Sequence, residues 1–128
     1  MPHVVVHGAP PLAEAVQRFE PIRATIGGCL VKIEQAYLER GRRLALLPAM
    51  TVAGPLRQRF FVLLGERDDG VAVRLESVTD PEKTEAVHLA IACVAEWLRR
   101  LSPGARFGAT NLSPVLLRVD GIRLTPEP

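Results

Sequence analysis

An excess of charge of one sign is missing from this chain: 16 Lys and Arg stand against 14 Asp and Glu, for a formal net charge of +2. The basic residues are dispersed, and the only tight cluster, Arg40-Gly41-Arg42-Arg43, reads as a solvated turn or strand end with an anion site as the alternative. Such a pattern gives no reason to expect nucleic acid as a partner. Cysteine is scarce too. Cys29 and Cys93 lie far apart in apolar surroundings and outside any Cys-x-x-Cys arrangement, which argues for buried free thiols over a disulfide or a thiolate metal site.

No segment approaches the roughly 18 uninterrupted apolar residues of a membrane span, and no basic stretch followed by a long apolar one stands near the start. A cytoplasmic protein without a membrane partner is the expectation. Also missing are a glycine-rich phosphate loop, His or Cys at metal-ligand spacing, and a Ser-His-Asp set that can be placed. No metal and no cofactor are expected. His3 and His7 share a strand face but sit roughly 13 Å apart along it, too far to hold one ion. His88 falls off the apolar stripe of its helix and reads as solvated.

What is present has the size of one domain, residues 1–128, with a single core. Pro2-His3-Val4-Val5-Val6-His7 reads as a buried strand, and Gly8-Ala9-Pro10-Pro11 as a turn. Leu12, Ala15, Val16, Phe19, Ile22 and Ile26 recur at steps of three and four, which predicts a helix kinked or broken by Pro21 near Arg18 to Glu20. Gly27-Gly28 closes it, and Leu30 to Leu38 follows as a strand. Leu44 to Leu47, Met50 to Val52 and Arg59 to Leu64 predict a loop and one or two extra strands. The last of these pairs with Val71 to Leu75 through the turn Arg67-Asp68-Asp69-Gly70.

The best-marked element is a second helix. Thr79-Asp80-Pro81-Glu82 has the form of a capping box, Val87 to Leu101 carries one apolar stripe, and Ser102-Pro103-Gly104 stops it. Val115 to Val119 reads as a last strand. The expected fold is α+β: tandem β-α-β units forming a mostly four-stranded sheet, two helices on one face, and an extra hairpin strand. The opposite face, with Val5, Val31 or Lys32, and Ala72 or Val73, is too apolar to leave in water, so self-association is expected.

Pro2 carries a chemical possibility. If Met1 is removed, the chain starts with a secondary amine whose unperturbed pKa lies near about 8, low enough for modest desolvation to make it a neutral base. The structural alternative is a proline tolerated at the first residue of a strand. Met1-Pro2-His3, the β-α-β units and the strand Val31-Lys32-Ile33 ending toward Arg40-Gly41 together resemble the tautomerase superfamily. That resemblance implies a homotrimer with Pro2 as the general base of a tautomerase or isomerase, moving a proton on a small keto or unsaturated carboxylic acid.

It further implies substrate-binding roles for Lys32, where the family's strand carries an arginine, and for Asn111, where some members have a pocket asparagine. Arg40 and Arg43 would supply guanidinium groups from a neighbouring subunit; apart from the resemblance, Tyr37 near the strand end offers a donor to a substrate oxygen. Each has a plain structural reading as well: an outward lysine, turn residues, a packed ring. The Gly-Arg-Ser that follows the first strand in one branch of the family is Gly8-Ala9-Pro10 here, which weakens the case for a dicarboxylate substrate. Two other functions fit the same element order: a non-catalytic tautomerase-fold oligomer, and a ferredoxin-like domain that binds a small ligand.

Overall fold

Alternation with period two, more than helical periodicity, organises the regular structure of the chain. The computed structural model describes residues 1–125. Its strands are β1 (His3–His7), β2 (Ile22–Ile26), β3 (Cys29–Ile33), β4 (Tyr37–Leu38), β5 (Leu44–Ala53), β6 (Leu56–Arg67), β7 (Gly70–Leu75) and β8 (Arg106–Thr110). The helices are α1 (Leu12–Gln17), α2 (Glu85–Arg100) and α3 (Ser113–Val119). All 8 strands join one sheet in the order β2-β3-β5-β6-β7-β1-β8, with β4 added beside β5. Every ladder is antiparallel.

The sheet curls around α2, which touches β1, β3, β5 and β7. Every residue of α2 from Ala86 to Leu98 except His88 is buried, as expected of a helix enclosed by its own sheet. Val4, Val6, Val31, Ile33, Leu47, Val62, Leu64 and Val73 share one core with Leu89, Ile91, Val94 and Leu98 of the helix. Each such side chain contributes roughly 1.5–3 kcal/mol on leaving water. Cys29 and Cys93 belong to the same core as free thiols, as read from the sequence.

Several expectations are corrected. The α+β class holds, but the four-stranded sheet of tandem β-α-β units is replaced by eight antiparallel strands. Ile22–Ile26 is a strand, not the second half of a helix. Its residues alternate buried and exposed, Pro21 separates them from α1, and Gly27-Gly28, both at positive φ, form the two-residue turn that pairs Ile26 with Cys29. Val115 to Val119 is helical because Pro114 starts α3 at its first turn and cannot serve a ladder; Leu116 and Val119 then pack inward.

The capping box gives way as well. Thr79 accepts a hydrogen bond from the Phe61 N–H (3.1 Å) and donates to the Glu76 carbonyl (3.1 Å), so residues 76–79 form a turn pinned to β6, residues 80–84 follow without helix, and α2 begins only at Glu85. Reciprocal bonds between the Gln58 carboxamide and the Glu82 backbone (2.7 and 3.0 Å) hold this connection down. The hairpin β6–β7 closes through the turn Arg67-Asp68-Asp69-Gly70, with Arg67 paired to Gly70. β8, unmarked in the sequence, pairs with β1, and its Gly108 leaves room for the His7 ring that a Cβ would strike.

Candidate functional site

A proline creates the gap from which the site is built. β3 pairs with β5 from Ala49 to Ala53, and β4 pairs with it at Ala45 and Leu46. Leu47 and Pro48 therefore have no ladder partner on that side. Across β5, Pro48 faces Phe61, whose N–H and carbonyl are spent on Thr79 and Glu76. The missing N–H of Pro48 thus costs no sheet bond, and the chain leaves β5 through Glu34 and Gln35 before returning at Tyr37.

The resulting cavity, about 470 Å³, opens on the outer face of the sheet, away from α2. Its floor is Pro48, Met50 and Phe61, and its edges carry Lys32, Gln35, Tyr37, Arg59 and Thr79. Register explains the cations. Lys32 pairs with Met50 and Met50 with Arg59, so the two charged residues flank one apolar side chain, their α-carbons roughly 10 Å apart at ordinary strand spacing. Arg23 on β2 continues the same row. Glu34 pairs with Lys32 at 3.0 Å, while Arg59 has no ion pair among the described residues. Tyr37 is 58% exposed and faces outward beside Leu46, with its hydroxyl available to a ligand.

Of the residues singled out from the sequence, Lys32 and Tyr37 therefore come together. Arg40 and Arg43 lie in the exposed turn between β4 and β5. Arg43 reaches the Glu66 carbonyl (3.4 Å), and neither arginine lines the cavity. Pro2, at the head of β1, is separated from Lys32 by β7, β6 and β5 in the sheet. It is buried, and Met1 acylates its nitrogen.

Asn111 closes on that terminus. Its Oδ1 accepts the His3 N–H (3.0 Å) and its Nδ2 donates to the Met1 carbonyl (2.9 Å). Thr110 Oγ1 adds a bond to the His3 carbonyl (2.8 Å). His88, expected to be solvated, is partly buried near this end of the chain. Burial lowers its pKa below 6.5, and the terminal ammonium lowers it further.

A second constellation sits at the end of α2. Glu96 is 1% exposed and accepts two hydrogen bonds from Arg99 (2.8 and 2.5 Å) and one from Arg100 (2.6 Å). These bonds hold Arg99 still more firmly in its charged form. One turn earlier, burial pushes the Cys93 thiol up to about 12, so it is no nucleophile near neutral pH.

Sequence reading missed Arg59, Met50, Phe61, Gln35 and Thr79. The signal was there in part. Once Gly54-Pro55 is taken as the turn that pairs Ala53 with Leu56, counting back gives Met50 opposite Arg59. In comparison with known proteins, no family model, no curated protein and no solved structure matches the chain. Fold and site together define an α+β domain whose curled antiparallel sheet encloses one helix and carries a cation-edged gap on its outer face.

Proposed function

We propose that the chain binds a small carboxylic acid with an apolar body, a 2-oxo acid being the working example, in the gap between β3, β4 and β5. The row Lys32, Met50, Arg59 carries this reading, because it sets two cations on either side of an apolar floor. Arg59 offers a fork that matches a carboxylate, and its charge is unspent among the described residues. Tyr37 and Gln35 add donors for a keto oxygen. Titration of the labelled protein with phenylpyruvate tests it: amide shifts at Lys32, Gln35, Met50 and Phe61 are expected, weakened about tenfold in Arg59→Ala.

A second reading retains proton transfer by Pro2 in a tautomerase-like chain. It is favoured by Asn111, whose Nδ2 donates to the Met1 carbonyl and would be released beside the proline nitrogen once Met1 is removed. The intact mass of the protein made in its own cell decides it. Loss of one methionine together with keto-enol exchange that disappears in Pro2→Ala supports this reading, and a retained Met1 ends it.

A further inference from the structure

We propose a second ligand site, for a monoanion with a flat apolar body, in the cavity between the end of α2, β8 and α3. This cavity measures about 600 Å³ and is lined by Arg99, Arg106, Phe107, Ser113, Leu116 and Leu117 among others. It shares no lining residue with the outer-face gap.

Arg99 is held along one edge. Its Nε–H and one N–H of its second nitrogen are spent on the buried Glu96. Its guanidinium lies over the Phe107 ring, 5.8 Å from the centroid. Among the described residues, only the exposed Asp120 approaches as a further ion-pair partner, at 3.8 Å. The two N–H groups on the remaining nitrogen have no hydrogen-bond partner among the described residues, although the side chain is only 34% exposed. A guanidinium fixed on one edge and unspent on the other is a preorganised anion donor.

Charge and shape set the ligand. Glu96 carries one negative charge against Arg99 and Arg100, leaving that cluster with one positive charge in excess. At the rim, Asp120 approaches Arg99 (3.8 Å), and Arg106 makes no ion pair or side-chain hydrogen bond among the described residues. With Arg100, which stands outside the cavity on the same Glu96, these groups carry one positive charge in excess, and one negative charge on the ligand balances it. Ser113 brings a hydroxyl that is unspent among the described residues. Phe107, Leu116 and Leu117, the last 77% exposed, give the ligand's body an apolar surface.

The test titrates 1-naphthoate into the ¹⁵N-labelled full chain while backbone amides and the Arg99 Nε–H are followed. Shifts at Phe107, Gly108, Leu116 and Arg99 are expected, with binding weakened about tenfold or more in Arg106→Ala and in Leu117→Asp, both solvent-facing changes whose spectra report the intact fold. The neutral isostere 1-naphthalenemethanol should bind at least about thirtyfold more weakly. Lys32→Ala should leave this affinity unchanged, so the outcome is independent of the site on the outer face. Absence of shifts at these residues up to about 10 mM, equal binding of the alcohol, or an affinity unmoved by both variants would overturn the proposal.

Discussion

Arginine is used in opposite ways at the two ends of this molecule. On the outer face, Arg59 stands beside Met50 with no ion pair among the described residues, at the edge of an open gap. At the end of α2, Arg99 and Arg100 close on a carboxylate that water does not reach. The first arrangement leaves charge for a ligand. The second spends most of it on holding the chain together, leaving only one edge of Arg99 open: Arg100 also reaches the Val119 carbonyl (3.4 Å) and so ties α3 to α2. What separates the two is the partner each guanidinium finds, and only the sheet register and the helix turn decide that.

The largest expected effect breaks the buried cluster. Glu96→Ala strips two partly buried guanidiniums of their acceptor and loosens α3, at a cost of about 3 kcal/mol, set at the lower end for such pairs because each arginine side chain is about one third exposed. Urea unfolding measures it. An unchanged midpoint would mean that the two arginine groups do not differ as described.

Next in size, Arg59→Ala and Lys32→Ala should each weaken carboxylate binding at the gap by about tenfold while moving stability by less than about 0.5 kcal/mol, read by titration and by urea unfolding on the same samples. A large stability loss in either variant would place these cations with Glu96 rather than against it.

His88 supplies a pH dependence. Its folded-state pKa lies below 6.5, so the unfolded chain takes up the proton first as pH falls. Its contribution to stability is complete above about pH 6.5 and declines as pH drops through the window between that value and the lower folded pKa. Unfolding midpoints measured from about pH 7 to pH 5 should fall less in His88→Asn than in the unaltered protein. The smallest effect belongs to Glu34, which competes for Lys32. Glu34→Gln should tighten carboxylate binding by about two- to threefold, in keeping with an exposed ion pair worth under about 1 kcal/mol.

The fold was legible where a local signal had no rival. The enclosed helix, the buried thiols and the β6–β7 hairpin all follow from apolar spacing and from Asp69-Gly70. Reading failed where two periods overlap: Leu12 to Ile26 satisfies steps of three and four, yet Ile22, Ala24 and Ile26 also alternate, and pairing with β3 selects the strand. It failed again at Thr79, because the hydroxyl that fits a helix cap is taken by Phe61 of a strand distant in sequence.

The candidate site shows the same limit. Lys32 and Tyr37 were found from their own strand. Arg59 joins them only through the ladders across β5, so cations dispersed along the sequence gather in one row that composition does not reveal.

The central claim is that the outer-face gap receives a small 2-oxo acid. Titration of ¹⁵N-labelled protein with phenylpyruvate tests it most directly. The account predicts shifts concentrated at Lys32, Gln35, Met50 and Phe61 that saturate and that weaken about tenfold in Arg59→Ala. Shifts that leave those residues still, or a binding curve that Arg59→Ala does not move, would contradict it.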